Sequence, residues 1–154
     1  MPMTDDGIDA AVYLSDLCRS LSDAKLRHKG VELTFIECPL KLNAIRCWRL
    51  GMIVSELIAD ASRHAFYRGG GKVQVELTNR DDFVRCTVAD NGSGLKDSAP
   101  GRGLKILQSL VRDLDGTIDH SSDARGTRIT LSFPLCETDL GDLLAVDHRK
   151  DRNI

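Results

Sequence analysis

The chain has 154 residues, 42% hydrophobic and 29% charged, with a formal net charge of −2. That is one domain's length of chain with enough apolar content for a core of its own. The charge balance leaves no basic footprint for nucleic acid, no apolar run reaches the ~18 residues of a membrane span, and no signal peptide opens the chain.

Residues 1–8 read as a flexible leader, with Gly7 as its punctuation. From Asp9 to His28 the apolar residues Val12, Leu14, Leu17, Leu21 and Ala24 recur at mostly helical spacing, and Gly30 supplies a stop. Val31 to Phe35 alternates and predicts a strand. Arg49 to Phe66 carries the strongest helical pattern, with Met52, Ile53, Leu57, Ile58 and Ala61 as one apolar stripe, broken by Gly69-Gly70-Gly71. Trp48, just ahead of it, reads as a packing residue. Val73, Val75 and Leu77 alternate, Asn79 to Asp82 reads as a hairpin turn, and Phe83 to Val88 is its second strand. Leu104 to Leu114 predicts another helix, stopped by Gly116. Thr117 to His120 and Arg128 to Phe133 are two further strands about the turn at Asp123 to Gly126. A domain over residues 9–135 follows, with Cys136 to Ile154 as a solvated tail. Strand pairs lacking an intervening helix predict a mixed sheet with helices on one face, an α+β two-layer sandwich. The five cysteines, Cys18, Cys38, Cys47, Cys86 and Cys136, show no Cys-x-x-Cys pairing and read as reduced thiols of a cytosolic protein.

Two features carry chemistry. Asp90-Asn91-Gly92-Ser93-Gly94 closes a predicted strand, and Gly101-Arg102-Gly103 opens an apolar helix. A carboxylate at a strand end can accept from an exocyclic amine such as adenine's. Glycines let backbone approach a ligand, and a helix N-terminus favours phosphate. Alone, Asp-Asn-Gly is equally an ordinary hairpin turn. Second, Glu56, Asp60, Arg63 and His64 fall at relative positions 0, +4, +7 and +8, one polar stripe along the long helix. Such a stripe suits Mg²⁺ with a triphosphate, since Mg²⁺ prefers oxygen ligands and shares itself between protein and phosphate. It also suits a solvated face with internal ion pairing.

These motifs, with Gly126-Thr127 after them, resemble in order and spacing the GHKL ATPases, the superfamily of the Bergerat fold. Within it, Leu50-Gly51-Met52-Ile53-Val54-Ser55-Glu56-Leu57 through His64 is similar to the ATP-binding catalytic domain of sensor histidine kinases, in the subgroup around the HWE kinases. The resemblance runs from about Tyr13 to Leu135. It implies ATP and Mg²⁺ as cofactors in two-component signalling, in the cytoplasm. Asp90 then receives the adenine amino group, supported by Thr127, with Gly92 and Gly94 beside the base. Gly103 and Leu104 turn into the phosphate-facing helix. Glu56 takes the catalytic polar position, Asp60 the metal position, and Arg63 and His64 lie by the phosphates.

The sequence departs from the family in three places. Asp60 stands where the family has Asn. A carboxylate suits Mg²⁺, but two unit charges ~4 Å apart at a dielectric of ~20 repel by about 4 kcal/mol, so weaker binding is expected. The lid between the glycine motifs, Leu95 to Pro100, is short and leaves Lys96 or Arg102 as its phosphate contacts, with Lys105 a weaker candidate. The roughly thirty residues ahead of the first strand are fewer than the family's phosphoacceptor hairpin needs, so the Asp9–His28 helix is expected to be at most the end of such a hairpin, and the Trp-x-Glu signature is absent. The γ-phosphate is therefore expected to pass to a His on another segment or chain. The partners implied are a phosphoacceptor His domain or response-regulator pathway protein, and a second copy in a homodimer. The alternatives are an anti-sigma-factor serine kinase of the same fold, and a degenerate non-catalytic domain acting as a binding or phosphorelay partner.

Overall fold

The computed structural model describes residues 7–64, 70–92, 102–136 and 139. A two-residue strand β1, Ile8–Asp9, pairs antiparallel with β3, Lys41–Leu42. Both are too short for periodicity to reveal. Asp9 also caps α1, Ala10–Leu21, its carboxylate accepting the Val12 N–H at 3.1 Å. The predicted helix through His28 does not stay regular. It widens into a π turn at Ser22–Leu26, tightens into a 3₁₀ turn at Arg27–Lys29, and stops where Gly30 takes φ +74°. Leu26 is buried by this irregular passage, while Val12, expected on the apolar stripe, is exposed.

The remaining elements are β2, Val31–Ile36; α2, Ala44–His64; β4, Gly71–Arg80; β5, Phe83–Asp90; α3, Arg102–Asp113; β6, Thr117–Asp123; and β7, Gly126–Pro134. Five strands form one sheet in the order β2-β4-β5-β7-β6, with β2 parallel to β4 and every other pair antiparallel. The predicted α+β two-layer architecture is the observed one. Alternate residues Val73, Val75 and Leu77, then Val84, Cys86 and Val88, and Leu131 and Phe133 are buried together with Leu50, Ile53, Val54 and Ile58 of α2. Two short turns differ from their expected extents. The β4–β5 hairpin runs to Arg80 and closes on Asp81-Asp82 alone, both left-handed at φ 54° and 62°. At the end of α3 the left-handed residue is Asp115, φ 56°, rather than the expected stop Gly116. Gly116 instead allows close packing, since a Cβ there would lie 2.7 Å from the Ser132 carbonyl oxygen.

Helix α2 starts five residues earlier than its apolar stripe predicts, because its N-terminus is set by a tertiary contact. Asn43 caps it, accepting the Arg46 N–H at 2.9 Å, while the Asn43 N–H donates to Asp139. Asp139 also accepts the Arg46 Nε at 2.6 Å and the Cys136 N–H at 3.0 Å, and the Arg46 guanidinium donates to the Pro134 carbonyl. The Arg46 and Asp139 side chains are 8% and 0% exposed, so the solvated tail expected from Cys136 onward does not hold at Asp139. The other end of α2 is held by Lys29, whose ammonium donates to the Ser62 carbonyl and hydroxyl, a cation at a helix C-terminus. Gly51 lets α1 lie close, since a Cβ there would meet the Tyr13 ring. One packing assignment and one stripe assignment fail. Trp48, read as a packing residue, is 55% exposed, and Met52 lies exposed beside it, because the core-facing side of α2 is centred on Arg46, Leu50 and Val54.

Cutting Asp139 away leaves a buried guanidinium without its counter-charge. Asp139→Ala should destabilise the fold by about 3–5 kcal/mol in urea denaturation, and truncation after Leu135 should cost at least as much.

Candidate functional site

Register builds one end of the site. Asp90 of β5 lies opposite Thr127 of β7, which lies opposite Ser122 of β6. Directly opposed residues share a face, so the three side chains form one row on the helix-covered side of the sheet. The Asp90 carboxylate accepts the Gly92 N–H at 3.0 Å, and the Thr127 hydroxyl lies 3.3 Å from the Ser122 hydroxyl. Asn91, next in the chain, is tied to β4, accepting the Lys72 N–H at 2.7 Å and donating its own N–H to the Lys72 carbonyl. At the β6–β7 turn, Asp123 accepts the Arg125 N–H at 2.7 Å. An open cleft of about 320 Å³ lies at this end of the sheet, lined by Asp90, Ser122, Thr127, the turn residues Asp123, Arg125 and Gly126, and by Ala89, Ser121 and Arg128 of the neighbouring row on the other face.

The closure depends on Gly126. Its φ is +147°, and a Cβ there would overlap the Asp90 carbonyl oxygen and fall 2.9 Å from the Asn91 Cα. Burial pushes the Asp90 carboxyl above its ordinary value. Backbone hydrogen bonds from Gly92 and Thr127 oppose that shift, Asp60 adds to it, and His120 opposes it. Asp60 and His120 thus both lie within electrostatic reach of Asp90, one from the helix layer and one from the edge strand.

The second part lies on α2. Arg63 Nη2 is 3.2 Å from Glu56 Oε2 and 3.5 Å from Asp60 Oδ1, so one guanidinium nitrogen bridges both carboxylates. The helical spacing therefore brings these three together, as expected, and the ion pairing of the plainer reading is present. His64 closes the helix, but its side chain lies outside the described residues. So do Gly94, Lys96 and the rest of the predicted lid. Arg102 opens α3 with Gly103 and Leu104 in its first turn; their side chains are likewise outside, and Lys105 one step further is exposed. Among the described residues no three His, Cys, Asp or Glu side chains converge as a metal cage. Glu56 and Asp60, two carboxylates one helical turn apart that share Arg63, are hard oxygen donors of the kind Mg²⁺ prefers. Asn91 and Ser122 escaped sequence reasoning. Asn91 looked like the middle of a turn, and only strand register reveals Ser122.

The profile of the histidine kinase-, DNA gyrase B-, and HSP90-like ATPase family matches residues 48–137. The chain is 29% identical to blue-light-activated histidine kinase 2 of Erythrobacter litoralis over 96% of its own length and 44% of that protein's. It is 33% identical to the sensor protein VraS of Staphylococcus aureus over 58% of its length and 26% of that protein's. The chain thus spans less than half of either relative. In structure it is similar to the histidine kinase domain of the Erythrobacter litoralis EL346 blue-light activated kinase, with a TM-score of 0.78 at 21% identity, covering 91% of this chain and 67% of that one. Among the described residues no helix is long and apolar enough to cross a membrane.

Two substitutions test the geometry without any ligand. Gly126→Ala forces a strained φ and a backbone overlap, and should cost at least about 2 kcal/mol of stability in urea. Asp90→Asn should hold or raise stability at neutral pH. With the Asp90 pKa raised on folding, its contribution is present at low pH and is lost as pH rises through the raised value. The stability difference, variant minus wild type, should therefore grow between acid and neutral pH.

Proposed function

Because this chain belongs to the histidine kinase-, DNA gyrase B-, and HSP90-like ATPase family, we propose that it is the ATP-binding catalytic domain of a histidine kinase. In this reading it binds Mg-ATP in the cytoplasm and donates the γ-phosphate to a His on another segment or chain, in a two-component pathway. The observation that carries the reading is the Asp90–Thr127 row closed by Gly126 at the mouth of a ligand-sized cleft. An ionised Asp90 accepts the adenine amino group, and its Gly92 and Thr127 backbone bonds hold it in place. The relatives matched are sensor histidine kinases, which favours a His acceptor over serine phosphorylation.

The phosphate end is α2 with the N-terminus of α3. A bound Mg²⁺ supplies charge neutralisation at the phosphates. Arg63 adds a cation once it turns from Glu56 and Asp60 to the phosphate oxygens, and Arg102 adds another at the start of α3, where the helix dipole favours anions. Glu56 orients the incoming imidazole and accepts its proton as the phosphorus–nitrogen bond forms and the bond to the leaving ADP oxygen breaks. Asp60 holds the metal with a carboxylate where an amide would carry no charge.

A thermal shift with ATP and Mg²⁺ tests binding. At a hundredfold over Kd the chain should gain ~2.7 kcal/mol of stability, and Asp90→Asn should lose that gain while remaining folded. Affinity should also fall as pH drops through the raised Asp90 value, since adenine needs the ionised form. Asp60→Asn should tighten Mg-ATP several-fold in titration calorimetry; an unchanged affinity removes the repulsion assigned to Asp60. With labelled ATP and a His phosphoacceptor domain, the phosphorylated product should be acid-labile, whereas an acid-stable product would point to a serine kinase.

A further inference from the structure

We infer that Ser122 is a positioning residue that makes Thr127 a hydrogen-bond donor toward the nucleotide base and so sets selectivity for adenine. This rests on the ATP-binding reading above and goes beyond it, because Ser122 touches the base only through Thr127.

Three observations meet here. The register places Ser122, Thr127 and Asp90 in one cross-strand row. The Ser122 and Thr127 hydroxyl oxygens are 3.3 Å apart, with either able to donate. All three residues line the same cleft. A hydroxyl has one proton and two lone pairs, so its two neighbours decide what it offers to a third group. If Thr127 donates to Ser122, it turns lone pairs toward the base. If Ser122 donates to Thr127, the Thr127 proton points away from β6, toward Asp90 and whatever binds beside it.

Adenine requires the second arrangement. Its amino group donates to the Asp90 carboxylate, and the adjacent ring nitrogen N1 is an acceptor that wants a proton from Thr127, directly or through one water. Guanine reverses both, with a carbonyl oxygen facing the carboxylate and a proton on N1. Asp90 alone disfavours guanine through its charge. Ser122 adds a second selection, at N1, by holding Thr127 as a donor. A purely structural role is the competing account, since hydroxyl pairs across antiparallel strands also stabilise sheets.

The test is titration calorimetry on the full 154-residue chain with Mg-ATP, Mg-GTP and the Mg complex of 1-deaza-ATP, in which N1 is replaced by C–H. Ser122→Ala should weaken ATP about three- to tenfold, the range of one hydrogen bond. It should leave 1-deaza-ATP unchanged, narrow the ATP-to-GTP preference, and add no further loss to Thr127→Val. Ser122→Thr, which restores a hydroxyl, should recover ATP binding. Equal weakening of ATP and 1-deaza-ATP, or unaltered ATP affinity with a lowered Tm, would overturn the inference and leave ATP binding by the wild type intact. A wild type that binds no ATP would overturn both this inference and the reading beneath it.

Discussion

The site hangs on the close approach of Gly126 to the backbone of Asp90. Two strands that end in register leave their last side chains side by side, but only if the turn joining the next strand does not fill the gap. A residue with a Cβ at position 126 would collide with the Asp90 carbonyl. Without that collision the β5–β7 ladder runs unbroken to its last pair, Asp90 with Thr127. The row then continues to Ser122, and a cleft forms where the sheet ends. Asn91 anchors the chain just beyond, so Asp90 is held from both sides.

The polar stripe within electrostatic reach of Asp90 is positioned by the clamping of α2. At its N-terminal end Asp139 satisfies the Asn43 and Cys136 amides and the Arg46 guanidinium, a buried charge cluster in which the donors find acceptors. At its C-terminal end Lys29 bonds to Ser62 one residue before Arg63. Between those ends, Gly51 lets α1 pack tightly along the helix. The polar stripe of Glu56, Asp60 and Arg63 thus stands on a helix fixed at both ends, so the three side chains are carried on a rigid element.

The sheet end and the α2 stripe have opposite electrostatic problems. Asp90 is a carboxylate partly withdrawn from water, and burial raises its pKa despite two backbone hydrogen bonds. Glu56 and Asp60 remain solvated and share one guanidinium nitrogen. Exposed pairs of this kind contribute little to stability, of order 0–1 kcal/mol. Arg63 can therefore exchange partners at small cost. The Asp90 end depends on preorganisation, and the α2 stripe is free to redistribute charge.

Sequence alone determined the helix-and-strand order, the mixed sheet, the stripe of Glu56, Asp60 and Arg63, and the order of the Asp90 and Gly126-Thr127 motifs along the chain. Those features follow from local periodicity, from glycine placement and from ordered motifs, each readable along the chain. Tertiary structure decided what local pattern cannot encode. The irregular end of α1 exists because Leu26 must reach the core, and Trp48 faces outward because Arg46 and Leu50 claim the inner side of α2. Asp139 belongs to the fold because a buried Arg46 needs a counter-charge from 93 residues away. Ser122 joins the site because two ladders align it with Thr127 and Asp90, and register between strands is a property of the sheet, not of any one segment.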